Sequence, residues 1–94
     1  MMSRPLVTIR SVEVAGATRL ALVFSDGARG EVDLSREIKA ATAMTAPLSD
    51  PSYFARVFLE EGAPTWPNGF DLAPWALYDR LREAGELDVT GRVA

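Results

Sequence analysis

A short alternating stretch followed by a tight turn constrains the fold of this chain more than any other feature. Large apolar residues occupy every second position at Leu20, Leu22 and Phe24, the pattern of a strand with one buried face. Asp26-Gly27 follows at once, and such a pair supplies the positive φ angles that tight hairpin turns require. The sequence therefore predicts a β-hairpin within an antiparallel meander.

The residues upstream of this hairpin predict a further strand with an irregularity in it. Val7 and Ile9 keep one phase of the alternation, whereas Val12 and Val14 keep the other. A β-bulge near Arg10-Ser11 is needed to hold all four side chains toward the core. The first strand is therefore expected to be bulged.

Downstream of the hairpin, a third strand is followed by a short helix and a loop. Val32 resumes the alternation, and Ser35 can cap a helix that carries Glu37 in its first turn and Ile38 on its inward side. The segment Ala41–Pro47 is small, uncharged and weakly patterned. We expect it to form a mobile loop.

The middle of the chain leaves two interpretations open. The apolar run within Arg56–Glu60 favours a strand that turns at Gly62 into a second strand over Pro64–Trp66. A short helix over Ser52–Glu61 is the alternative, because short apolar runs do not distinguish helix from strand.

The last third of the chain predicts a helix. Leu77, Leu81 and Ala84 fall at i, i+4 and i+7, so they share one face, and the solvent side carries the charged residues Asp79, Arg80, Arg82 and Glu83. Pro74 suits the first turn and Gly85 suits the position after the C-cap. Residues 1–94 are therefore expected to form one α+β domain, with an antiparallel sheet of four or five strands, the C-terminal helix on one face and the short helix after the third strand.

Composition excludes several classes of function. The chain has neither cysteine nor histidine, which removes disulfides, the usual zinc sites, thiolate nucleophiles and imidazole bases. The net charge is −3 and the arginines are scattered, which is not the pattern of a nucleic-acid-binding surface. No apolar run approaches the ~18 residues of a membrane helix, and the start does not resemble a signal peptide. We expect a cytoplasmic protein with no cofactor, no metal site and no catalytic residues.

Three aspartates stand out within recognisable motifs, and each has a structural explanation. Asp26 suits the hairpin turn, Asp33 suits the solvent side of a strand or a cap ahead of Ser35, and Asp71 suits the cap of the C-terminal helix. Acid–base catalysis or a divalent cation on these carboxylates is the less favoured alternative.

The stretch Trp66–Tyr78 is the richest in aromatic residues. Its structural interpretation is a corner in which Trp66 ends a strand and enters the core, Asn68-Gly69 reverses the chain with positive φ, and Asp71 caps the helix.

The functional interpretation of the same stretch is a recognition surface. Phe70, Trp75 and Tyr78 are the candidate binding residues, because the corner does not dictate where they point. Trp75 lies about 200° from Leu77 around the helix, near the outward face, and exposed tryptophan is enriched in protein-binding hot spots.

An ordered set of motifs resembles one known family, the bacterial domain of unknown function 2442. The resemblance covers about residues 7–81 and implies a small α+β domain without an assigned activity. Some members are joined to a helix-turn-helix domain, which we do not expect here, and others lie beside a second small protein in arrangements that suggest toxin–antitoxin pairs. The motifs are Leu20–Gly27, Glu31–Leu34, Pro47–Pro51, Phe54–Val57, Trp66–Leu72 and Leu77-Tyr78.

Residues and resemblance together predict a non-enzymatic protein-interaction module, such as an antitoxin-like or regulatory partner of a co-encoded small protein. Its partner would be another protein or a second copy of the chain, with no membrane contact and no direct nucleic-acid binding. The alternative is a small-ligand sensor that uses the aromatic stretch from Trp66 to Tyr78. An enzyme is the least favoured class.

Overall fold

The computed structural model describes residues 6–91, which form two small antiparallel sheets and several short helices. None of the helices in this range is long and apolar enough to cross a bilayer. In chain order the elements are β1 (Ile9–Val14), β2 (Arg19–Phe24), β3 (Arg29–Asp33), α1 (Ser35–Ala40), a 3₁₀ helix (Ala46–Ser49), α2 (Pro51–Phe54), β4 (Phe58–Glu60), β5 (Ala63–Thr65) and α3 (Pro74–Glu83).

The first sheet has the order β1-β2-β3, as the alternation predicts. The register of β1 on β2 shifts between Ile9 and Ser11, which confirms the bulge. Ile9 is buried, but Val14 at the far end of β1 is 45% exposed, so the expectation that all four apolar residues face the core is wrong for Val14. The hairpin turn after β2 has Gly27 at φ +92°.

The second sheet consists of β4 and β5 alone. The α+β class and the five strands are therefore confirmed for the described residues, with the difference that the strands divide between two sheets. The β4–β5 turn touches β1 where the Ile9 N–H donates to the Gly62 carbonyl at 2.8 Å. Both interpretations of the middle segment are correct in part, because α2 ends at Phe54 and the strand follows it.

Helix α1 follows β3 as predicted, but Ser35 does not cap it. Leu34 is the N-cap and offers no side-chain hydrogen bond. Ser35 is instead the first helical residue, and its N–H donates to the Asp33 carboxylate at 2.9 Å. Both interpretations of Asp33 are therefore correct in part, because it is the exposed last residue of β3 and its carboxylate also accepts the Ser35 N–H.

The segment after α1 has a defined conformation. Ala41 ends the helix with φ +51°, in the left-handed region. The Thr42 N–H donates to the Thr45 hydroxyl at 3.0 Å, and the Thr45 N–H donates to the Thr42 hydroxyl at 3.1 Å. The mobility of Ala41–Pro47 stays a prediction.

Helix α3 begins at Pro74 and presents Leu77 and Leu81 to the core, as predicted. Ala84 is exposed, contrary to expectation, because the helix ends at Glu83 and Ala84 is the C-cap. Gly85 follows at φ +72° in the predicted role.

Helix α3 lies across β3 at a close approach. A Cβ on Gly30 would come within 2.9 Å of Leu81 Cδ1 and 3.0 Å of the Glu86 carbonyl oxygen, so a larger residue at this position of β3 would require these neighbours to shift. Downstream of the helix, Arg29 and Asp88 exchange backbone hydrogen bonds of 2.9 and 2.8 Å, which bring the segment after α3 alongside β3. The core is thus closed between the first sheet, α2 and α3. Its buried apolar residues are Ile9, Leu20, Leu22, Phe24, Ala28, Val32, Leu34, Leu48, Phe54, Trp66, Leu77, Tyr78 and Leu81.

Candidate interaction groove

Trp66 is the central residue of the predicted corner. Its side chain is fully buried between the rings of Phe54 and Phe70, with centroid separations of 5.9 and 5.8 Å. The indole Nε1–H donates to the Phe54 carbonyl at 3.0 Å, so its one polar group is satisfied. Phe70, a predicted surface residue, is half-buried against this core.

The turn after Trp66 depends on Asn68 and Gly69. Gly69 has φ +90°, and the Asn68 Oδ1 accepts a hydrogen bond from the Phe70 N–H at 3.0 Å. The Asn68 side-chain amide also donates to the Met44 carbonyl at 3.1 Å, and its backbone N–H donates to the Tyr53 hydroxyl at 3.0 Å. The predicted turn is confirmed, and these bonds attach it to the segment that precedes β4.

Asp71 does not cap α3, so that prediction is wrong. The N-cap is Ala73, which makes no side-chain cap bond, and the helix begins one residue later at Pro74. Asp71 is exposed and forms a β-bridge with Thr65. The next residue is still alongside β5, since the Leu72 N–H donates to the Pro64 carbonyl at 3.0 Å, so Asp71 comes too early in the chain to cap α3.

Tyr78 is buried and is not part of an exposed surface, contrary to its predicted role. It is 4% exposed, and its ring meets Phe24 edge-on at 5.0 Å. Its hydroxyl donates to Asp26 Oδ2 at 2.7 Å, while Asp26 Oδ1 accepts from the Ala28 N–H at 2.9 Å. Two motifs far apart in the sequence thus meet, because the Asp26 carboxylate accepts hydrogen bonds both from its own hairpin turn and from Tyr78 of α3.

Asp33 has hydrogen-bond partners separate from those of Asp26. Asp33 accepts hydrogen bonds from the Ser35 N–H and from the Thr18 hydroxyl, each at 2.9 Å. The Ser35 bond, followed by the Thr18 bond, lowers the pKa of the Asp33 carboxyl. Within residues 6–91, no group of three or more acidic, histidine or cysteine side chains is placed to hold a metal ion.

An open groove of about 650 Å³ runs along α3 and is bounded on one side by the start of α1. We call it the α3 groove. Trp75, Asp79 and Glu83 lie on one line of α3 because they are spaced four residues apart. Trp75 is half-buried in this position. The lining residues are Arg36, Glu37, Leu72, Ala73, Trp75, Ala76, Leu77, Asp79, Arg80, Glu83 and Ala84.

Arg80 joins α3 to α1 within the α3 groove. Its Nη1 donates to Glu37 Oε2 at 2.6 Å, and its Nη2 donates to Glu37 Oε1 at 3.3 Å and to the Asp33 carbonyl at 2.6 Å. Burial raises the pKa of Glu37, but the hydrogen bonds and charge of Arg80 outweigh it and leave that pKa below its usual value. The sequence pattern placed Arg80 on the solvent side of the helix. The two partners lie 43 residues apart, so no local spacing indicates their contact.

A second, smaller concavity of about 360 Å³ lies on the opposite, open face of the first sheet. Its floor is formed by Ala21 and Val23, with Glu13, Arg29 and Glu31 around it. No residue predicted to bind a partner lies there.

The comparison with known families gives one match. The model of a family described as "Protein of unknown function (DUF2442)" matches residues 9–83. The chain belongs to this family. No curated protein and no solved structure matches it. In this DUF2442 protein, Asp26, Trp66, Asn68 and Tyr78 all hold the fold together, so the motifs that carry the resemblance are structural in large part.

Proposed function

We propose that this DUF2442 protein is a protein-interaction module that binds a segment of a partner protein in the α3 groove. The observation that carries the proposal is the position of Trp75. The other tryptophan, Trp66, is fully buried in the corner, whereas Trp75 is only half-buried and lines an open groove. A tryptophan so placed offers a large apolar contact to a partner.

The shape of the groove favours a protein segment over a small ligand. Small-molecule sites enclose most of the ligand surface and are largely apolar. The α3 groove is open along its length and carries Arg36, Glu37, Asp79, Arg80 and Glu83. Polar and charged residues around an aromatic anchor are typical of a protein interface.

The charges on α3 indicate the chemistry of the partner. Asp79 and Glu83 continue the line that starts at Trp75, at intervals of about 6 Å along the helix. Asp79 pairs with Arg82 at the surface, and within residues 6–91 no ion pair involves Glu83. A partner segment with an apolar side chain against Trp75 and basic side chains against the two acids fits this line. The net charge of −3 favours the same basic partner.

The chemistry of the available side chains supports a non-catalytic role. Because the chain has no histidine or cysteine, acid–base catalysis would depend on carboxylates. Asp26 and Asp33 are engaged in turn and cap hydrogen bonds, which supports a structural role for both. The regulatory partner of a small basic protein encoded nearby is the biological role that fits this module.

The test begins with the partner itself. The wild-type chain, immobilised at physiological salt, is used to retain proteins from a lysate of its host. A retained protein is identified by mass spectrometry, produced in pure form and titrated by calorimetry against wild type and Trp75→Ala. We expect Trp75→Ala to weaken binding by at least about 30-fold, while it changes the free energy of unfolding by only about 1 kcal/mol.

Matched variants locate the contact. Phe58→Ala removes an aromatic that is 41% exposed in β4, outside the groove, and should leave the affinity unchanged. Glu83→Lys should weaken binding, whereas Glu31→Lys on the open sheet face should not. Equal losses for Trp75→Ala and Phe58→Ala, or a host lysate from which the wild-type chain retains no protein, would refute the proposal.

A further inference from the structure

We infer that α1 is a movable wall of the α3 groove and that the Arg80–Glu37 ion pair is the latch that holds it in place. The inference rests on the proposed function, because it concerns how access to that groove is controlled. It is carried by three features of the molecule: the weak packing of α1, the geometry of Arg80, and the position of Glu37 in the groove lining.

Helix α1 buries little of its own surface. It has only six residues, and none of them is buried. Ile38 is its one large apolar residue, and it is half-buried against the core. The helix ends at Ala41 in the left-handed region, a conformation that costs a residue with a Cβ about 1 kcal/mol or more. A helix this short is marginal without tertiary contacts, so polar contacts add to its packing on the 3₁₀ helix in holding its position.

Arg80 supplies those polar contacts. Its planar guanidinium bonds both oxygens of Glu37 on α1 and also the Asp33 carbonyl at the end of β3. The Arg80 and Glu37 side chains are 28% and 18% exposed, so water screens the pair only in part. Among residues 6–91, this is the one ion pair that joins α1 to α3.

The latch and the groove share the same carboxylate. Arg36 and Glu37 form the part of the groove lining that belongs to α1, while the facing side belongs to α3. Movement of α1 therefore changes the width of the groove. A basic side chain that enters the groove also meets Glu37 and competes with Arg80 for it. Partner binding and latch opening are then coupled through one residue.

Amide hydrogen exchange on the free chain tests the latch without any partner. Arg80→Gln and Glu37→Gln each remove the ion pair from one side. We expect both variants to increase the exchange rates of the α1 amides, such as that of Ile38, by at least about 10-fold, with the amides of β2 and α3 unchanged. Arg80→Lys keeps the positive charge but lacks the planar guanidinium that bonds both Glu37 oxygens, so it should give an intermediate increase in the exchange rates of the α1 amides.

The control removes an ion pair elsewhere. Glu31→Gln breaks the 3.2 Å contact of Arg19 with Glu31 on the open sheet face, keeps the contact of Arg19 with Asp33, and should leave α1 exchange at the wild-type rate. Unchanged α1 exchange in both latch variants, or an equal increase in every element, would overturn the inference. Neither result depends on a partner, and the affinity test of the groove stays intact, so failure of the latch is distinguishable from failure of the proposed function.

Discussion

Replacement of Trp66 by alanine tests the account of the corner most severely. The side chain is 0% exposed, it contacts two aromatic rings, and its Nε1–H satisfies the Phe54 carbonyl. Removal of a buried aromatic of this size costs about 3–5 kcal/mol. The Phe54 carbonyl also loses one of its two donors, because the Val57 N–H still donates to it at 3.3 Å, so this loss adds at most about 1 kcal/mol. We therefore expect Trp66→Ala to cost about 3–6 kcal/mol.

This loss is large for a chain of 94 residues, whose whole free energy of unfolding is expected to be about 5–14 kcal/mol. Urea unfolding followed by far-ultraviolet circular dichroism measures it, because this signal does not depend on the tryptophan that is removed. Trp75→Ala is the matched control, since it deletes the same side chain from a half-buried position and should cost only about 1 kcal/mol. A cost below about 1 kcal/mol for Trp66→Ala would refute the account of the corner.

Three smaller changes test other parts of the fold, each measured by urea unfolding. Ala41→Gly should stabilise the chain by about 1 kcal/mol, because position 41 has a positive φ. Ala40→Gly, one residue earlier in α1, should destabilise the chain instead. A loss of stability in Ala41→Gly would contradict the left-handed C-cap. Tyr78→Phe should cost about 1–2 kcal/mol through the lost bond to Asp26, and a neutral result would show that this bond does not stabilise the fold. The pKa of the Glu37 carboxyl is lowered in the folded chain, so the charged carboxylate stabilises the fold above its usual pKa of 4.5, and this stabilisation is lost as the pH falls through the folded pKa. Glu37→Gln should therefore make the free energy of unfolding less dependent on pH in this acidic range. An unaltered pH dependence would contradict the role given to the Glu37 carboxylate.

Local patterns were sufficient to predict the parts of the fold that depend on nearby residues. The alternation at Leu20, Leu22 and Phe24 reports a strand whose buried face repeats every two residues, and β2 has that face. The change of phase after Ile9 predicts the bulge, because only an extra residue restores the buried face. Pro74 and Gly85 similarly mark the two ends of α3 through their own backbone preferences.

Contacts between distant parts of the chain could not be predicted in this way. Tyr78 lies one residue after Leu77 and was assigned to a recognition surface, yet it is buried because Asp26 and Phe24 meet it from the first hairpin. The periodicity of α3 likewise predicts that Arg80 faces solvent, because its partner Glu37 lies on a different helix and leaves no mark on that periodicity. Hydrophobic periodicity describes which face of a helix is apolar, but it does not show which polar groups another element brings to that face.

The central claim, that a partner protein occupies the α3 groove, is tested most directly by nuclear magnetic resonance. The chain has two tryptophans, so an isotope-labelled sample gives two indole N–H signals that report the groove and the core separately. During titration with the purified partner, we predict that the Trp75 indole signal moves together with the amides of Asp79 and Glu83, while the Trp66 indole signal stays in place. An unmoved Trp75 signal, with shifts confined to residues of the open sheet face such as Ala21, would contradict the account.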